Sequence, residues 1–113
     1  MSTSQEYLGK KITVTIDRPL GSVHPKYKET IYPINYGYVS GTRAGDGEPI
    51  DAYVLGVDHS LPLFIGKCIA VIHRLDDNED KLVVAPECMY FSDDKIKELT
   101  DFQEKYFKIE IIK

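Results

Sequence analysis

Asp46-Gly47-Glu48-Pro49-Ile50-Asp51-Ala52-Tyr53-Val54-Leu55 sets three carboxylates within six positions, directly ahead of an apolar run. The run reads as a buried strand, yet Asp51 lies inside it. Successive side chains of a strand point to opposite faces, so the Asp51 carboxylate is turned away from the face that carries Ile50 and Ala52. Asp46 and Glu48 fall in the preceding turn, where Gly47 frees the backbone and Pro49 removes one ladder donor. Acids this dense repel one another, and a folded chain keeps them together when water or a cation neutralises them. A solvated acidic turn accounts for Asp46 and Glu48. It accounts poorly for a carboxylate within the strand, which a metal site explains.

Working outward, the segment 11–16 alternates polar and apolar residues like a strand with one wet face. Pro19, Gly21 and Pro25 then break the chain into a loop. A β-like piece over 31–39 is interrupted by Pro33 and Gly37. Further strands are expected over 50–57, over 67–75, which is nearly all apolar and hence central, and over 82–85, where Pro86 ends the ladder. Ile96, Leu99, Phe102 and Tyr106 recur at helical spacing behind Ser92 as N-cap, with Asp93 and Asp94 in the first turn. Thr100-Asp101-Phe102-Gln103 fits a capping box at which a second helix starts, and 107–112 suits either helix or strand. Five or six short strands and a late helix define a mainly β (α+β) class, a small closed barrel with one or two C-terminal helices outside. Closure also protects the strand edges.

A chain of 113 residues, 42% hydrophobic and 28% charged, suits one soluble domain spanning 1–113. The formal net charge of -4 argues against a reader of nucleic-acid backbones, which carries a basic excess. Cys68 lies in an apolar run and Cys88 shows no metal-type spacing, so both are expected as thiols in a reducing compartment. No stretch approaches the length of a membrane span and the first ten residues lack a signal-like apolar core, which together point to the cytoplasm.

A second acidic cluster, Asp76-Asp77-Asn78-Glu79-Asp80-Lys81, falls between the 67–75 strand and the next apolar one. Antiparallel pairing of the 50–57 strand with 67–75 would bring Asp46, Asp51, Asp76 and Asp80 to a common volume. Hard oxygen donors without His or Cys select Mg²⁺, with Mn²⁺ as the alternative ion, and such ions bridge phosphate oxygens. Lys26, Lys81 and Arg43 supply positive charge, and Tyr32, Tyr36 and Tyr106 supply hydroxyl donors. Removing one charge from such a cluster, as in Asp51→Asn, is expected to relieve repulsion and raise stability.

Tyr32-Pro33-Ile34-Asn35-Tyr36-Gly37-Tyr38 followed by Asp46-Gly47-Glu48-Pro49-Ile50-Asp51 resembles the signature of the soluble, Mg²⁺-dependent (family I) inorganic pyrophosphatases, YPxNYGY then DGDPxD. The likeness runs from Pro19 and Lys26-Tyr27 through Asp76, Asp80-Lys81-Leu82 and Pro86 to the late helix with Tyr106. It implies an OB-like barrel and hydrolysis of pyrophosphate to two phosphates. A homo-oligomer is compatible with the sequence, which does not fix the oligomeric state. It also implies roles residue by residue. Asp46, Asp51, Asp76 and Asp80 match metal-holding acids, while Lys26, Lys81, Tyr32 and Tyr106 match groups that grip phosphate. Tyr36 matches an aromatic beside the metal, Glu48 the position that orients the attacking water, and Asp17 a glutamate near a substrate-bound metal. The departures are specific. The chain passes from Lys28-Glu29-Thr30 straight to Ile31-Tyr32, so a hairpin with its phosphate-binding arginine has no counterpart. Lys28 stands for a glutamate, Phe107 for a lysine, and Glu48 for the second aspartate of DGDPxD. A relative that binds phosphate or nucleotide with weak or no turnover is the alternative reading of these departures.

Overall fold

A computed structural model of the chain describes residues 4–42, 47–76 and 79–113. After a short 3-10 helix over Ser4–Tyr7 come β1 (Lys11–Arg18), β2 (Asn35–Val39), β3 (Ile50–Val54), β4 (Leu63–Arg74), β5 (Asp80–Ala85), α1 (Asp93–Glu104) and β6 (Ile109–Ile112). The strands hydrogen-bond in the order β1-β2-β3-β5-β4-β6, and an added β1–β4 pairing closes the first five into a barrel. The length of β4 makes closure workable. Its first half pairs with β1 from Leu63 to Lys67, whereas its second half pairs with β5 and, over Val71–Arg74, with β6. A register irregularity between Cys68 and Ala70 marks the bend between the two halves.

Alternation sorts the apolar residues into two cores. Ile12, Val14, Ala52, Val54, Leu82 and Val84 fill the barrel. Tyr36, Tyr53, Ile72, Val83, Ala85 and Ile96 form a second layer between the outer barrel wall and α1. Both faces of β5 are thereby buried, which its continuous apolar run anticipates. The helix starts as the sequence implies, with the Ser92 hydroxyl accepting from the Lys95 amide at 3.2 Å. It does not restart at Thr100, whose hydroxyl instead donates back to the Ile96 carbonyl at 2.8 Å. The β-branched tail returns to the sheet as β6.

Two expectations are corrected. The piece over 31–39 becomes a strand only at Asn35, and Ile31 makes a single bridge to Val23, because Pro33 cannot donate to a ladder. The antiparallel pairing of β3 with β4 does not occur. β3 runs antiparallel to β2 and parallel to β5, so that Ala52 faces Leu82. Parallel pairing places the starts of β3 and β5 at the same end of the barrel. No described helix is long and apolar enough to cross a membrane.

Candidate active site on the outer barrel wall

The position of Asp51 follows from the parity of β3. It shares a face with Tyr53, which packs in the outer layer beneath the helix, and lies at the open end of that layer. Its Oδ2 accepts from the Tyr36 hydroxyl at 2.8 Å and from Lys81 Nζ at 2.7 Å. The side chain of Lys81 is 5% exposed and that of Asp51 37%, so a buried ammonium is held by a carboxylate that still reaches solvent. Burial, then the charge and hydrogen bond of Asp51, push the Tyr36 hydroxyl far above the ordinary phenol range. Tyr36 is accordingly a fixed donor rather than a base.

Asp17 joins this group from β1. The register between β1 and β2 shifts between Ile16 and Arg18, leaving Asp17 on the irregularity. Such a bulge re-aims a side chain. The Asp17 carboxyl is raised chiefly by burial, against the lowering influence of Arg18, and Asp51's charge raises it further. Tyr32 is buried, its hydroxyl donates to Gln103 Oε1 at 3.3 Å, and Arg18 lies close enough to act on that hydroxyl.

Lys81 lines a cavity of about 290 Å³ together with Arg74, Gln103, Tyr106, His24 and Tyr27. Tyr106 is 62% exposed and stacks on Tyr27, with centroids 6.2 Å apart. Lys26 is exposed and stands 5.7 Å above the Tyr27 ring, at the margin rather than on the cavity floor.

The remaining acids separate. Asp80 shares the inward parity of Leu82 and lies 2.6 Å from His73 Nδ1, on the strand face opposite to that of Lys81. Asp76 is exposed and accepts from the Lys108 amide at 3.3 Å, beside the loop into β6. Glu48 is exposed in the turn ahead of β3. Asp46 and Arg43 lie outside the described residues. The expected gathering of Asp51, Asp76 and Asp80 around one volume is therefore not the arrangement seen. Among the described residues, no three His, Cys, Asp or Glu side chains stand close enough to hold an ion.

Among the described acids of the second cluster, the one that faces Lys81 is Glu79, with Oε2 3.8 Å from Lys81 Nζ and 3.3 Å from Arg74 Nη1. The sequence reading passed over it although the signal was present: Glu79 is two residues before Lys81, hence on the same side of the extended chain, whereas Asp80 is not. Arg74 and Glu104 were also missed. Glu104 Oε1 accepts from Arg74 Nε at 2.9 Å and Oε2 from Nη2 at 2.8 Å. The Tyr53 hydroxyl donates to the same carboxylate at 2.5 Å and accepts from Gln103 Nε2 at 2.8 Å. Thirty positions apart, the two ends of that ion pair each read as ordinary charge at an element terminus.

The donor chemistry of Asp51, Glu79 and Asp17, all hard oxygen, fits Mg²⁺ or Mn²⁺ rather than zinc. Asp51 already accepts from an ammonium, which marks its Oδ2 as a position where positive charge is favoured.

The fold has close counterparts among solved structures. The inorganic pyrophosphatase of Ehrlichia chaffeensis superposes with a TM-score of 0.69 at 19% identity, covering 91% of this chain and 85% of that one. That of Neisseria gonorrhoeae superposes at 0.65 with 24% identity, covering 87% and 74%. The barrel with its outer helix is thus a pyrophosphatase-type fold. The family model described as inorganic pyrophosphatase matches residues 6–111, and the chain belongs to that family. Soluble inorganic pyrophosphatase 2 of Chlamydomonas reinhardtii is 32% identical over 119 aligned positions, covering 90% of this chain and 62% of that protein. The rice soluble inorganic pyrophosphatase is 29% identical, with 90% and 56% covered. The chain spans less than two thirds of the length of these relatives.

Proposed function

We propose that the chain hydrolyses inorganic pyrophosphate to two phosphates, with Mg²⁺ as the activating ion and Mn²⁺ as an alternative. The observation that carries this reading is Asp51. A carboxylate on the outer face of a core strand accepts from a tyrosine and from a buried lysine that lines a cationic cavity, an arrangement that a purely structural strand does not need. Asp51 and Glu79, with Asp46 as the resemblance in sequence implies, are the residues assigned to hold the ion. A bound divalent ion supplies an acidified water and offsets charge on phosphoryl oxygens.

The protein's own groups do the rest. Tyr36 fixes the rotamer of Asp51. Lys81, sharing the cavity with the Tyr106 hydroxyl, grips phosphate as a point charge, and Lys26 adds attraction at the margin. Asp80 is assigned to hold His73 in place, and Asp76 to tether the loop before β6, in the roles their contacts support. Glu48 orients the attacking water. The reading places the enzyme in the cytoplasm, with no nucleic-acid or membrane partner, and leaves a homo-oligomer compatible.

The test is phosphate release from pyrophosphate with successive additions of protein, substrate, Mg²⁺ and then chelator. Release that starts with the metal and stops with the chelator is the expected result, and release indifferent to both would reject the metal assignment. A smaller effect is expected at Glu48. Its extra methylene displaces the carboxylate by about 1 Å relative to aspartate, a shift that costs about 10²-fold at a reacting centre. Glu48→Asp should therefore raise the turnover number with little change in Mg²⁺ affinity, as read by steady-state kinetics at saturating metal and substrate. An unchanged or lower turnover number would remove Glu48 from the water's partners.

A further inference from the structure

We propose that Arg74 and Lys81 form a two-cation cradle for a phosphoryl group of the substrate, with Glu79 as its exchangeable internal occupant. The proposal rests on the pyrophosphate reading for the identity of the ligand, and on geometry for the cradle itself. Arg74 is the last residue of β4, and its guanidinium lies over the Phe107 ring at 3.7 Å from the centroid. Glu104 takes the Nε and Nη2 edge in a bidentate pair. With one edge clamped and one face stacked, the planar group has little freedom left, and Nη1 is directed to Glu79 Oε2 at 3.3 Å. Lys81 Nζ lies 3.8 Å from that same oxygen. One carboxylate oxygen thus stands between two cations from different strands, which is where an anionic oxygen is most stabilised.

The two carboxylates on Arg74 differ in kind. Glu104 is 1% exposed and bonded to Tyr53, so it cannot leave without stranding a buried guanidinium. Glu79 is 26% exposed and makes the longer contact, to two cations, Arg74 and Lys81, that both line the cavity shared with Tyr106. A phosphoryl group carries more charge than a carboxylate and offers several acceptor oxygens, so it competes for this position and releases Glu79 to the ion that it is assigned to hold. The guanidinium also answers a departure in the sequence. Phe107 stands where the resemblance expects a lysine, and it is the ring on which the cation supplied by β4 rests.

The experiment uses the full chain and imidodiphosphate, a non-hydrolysable pyrophosphate analogue, titrated in the presence of Mg²⁺. The arginines are three, Arg18, Arg43 and Arg74, so their side-chain Nε–H resonances are few enough to follow individually. The Arg74 resonance should shift with the midpoint of analogue binding. An Arg74 signal that stays in place up to saturating analogue overturns the cradle. The double variant Arg74→Met/Glu104→Gln removes both buried charges together and should bind the analogue about 10- to 100-fold more weakly, the loss of a charge-assisted hydrogen bond. Wild-type affinity in that folded variant also overturns it, and should the variant not fold, the resonance of the wild-type chain decides. Phosphate release is measured separately. An Arg74 response without turnover sinks the pyrophosphatase reading and keeps the cradle, whereas turnover without an Arg74 response does the reverse.

Discussion

Asp51→Asn should abolish Mg²⁺-dependent phosphate release, with a loss of about 10³-fold or more, because a pre-organised charge at a reacting centre is removed while the shape stays. The amide keeps one oxygen able to accept from Tyr36 or Lys81, but it no longer attracts a cation with a full charge. The expected effect on stability is the opposite of the one suggested by sequence. Crowded carboxylates would gain from losing a charge, yet Asp51 in the folded chain is paired with a buried lysine. Removing the anion leaves Lys81 with Glu79 at 3.8 Å as its other ion-pair partner. Because the Asp51 side chain is partly solvated, the cost is moderated by screening to about 1 kcal/mol, or a fall in melting temperature of about 4 °C. Thermal unfolding of the metal-free variant checks the sign. A rise would mean that acid–acid repulsion, not the Lys81 pair, dominates at this end of the barrel.

Gly37→Ala should have the largest structural effect of any glycine-to-alanine change among the described residues. Gly37 faces Ile16 across the β1–β2 ladder, and a Cβ built there meets the Thr15 carbonyl oxygen at 1.9 Å and Ile16 Cα at 2.8 Å. These are backbone atoms, so no rotamer change relieves the overlap. The two strands must part, and with them the closure that places Asp17 near Asp51. A cost of at least about 3 kcal/mol is expected, at the upper end of overpacking penalties. Urea unfolding followed by circular dichroism reads it, and a midpoint within error of wild type would show that β1 can yield without loss of the barrel. The glycine between Tyr36 and Tyr38 is therefore accounted for by strand approach, independently of any chemistry.

These two residues also show what could be read in advance. The strand and helix pattern was legible because alternation and helical spacing are local, and Ser92, Pro86 and the apolar 67–75 run each marked a boundary. Asp51 was legible because a charge within an apolar strand is locally anomalous. The partners of β3 were not, since parallel and antiparallel neighbours present the same alternation and only the path of the whole barrel distinguishes them. The same limit hid the Glu104–Arg74 pair, whose members meet through the docking of α1 on the outer wall. Asp80 and Glu79 illustrate a narrower failure. Both are acids beside Lys81, and composition prefers neither. The parity of β5 separates them, sending Asp80 toward His73 and Glu79 toward Arg74 and Lys81.

The central claim is that pyrophosphate is cleaved at the Asp51–Lys81 end of the outer barrel wall. Its most direct test is the initial rate of phosphate release by the wild-type chain and by Asp51→Asn, purified identically so that any contaminating host pyrophosphatase appears equally in both. At saturating Mg²⁺ and pyrophosphate, the account predicts release by the wild type and a residual rate in the variant indistinguishable from buffer. Equal rates in the two preparations, or no release by either, would contradict it.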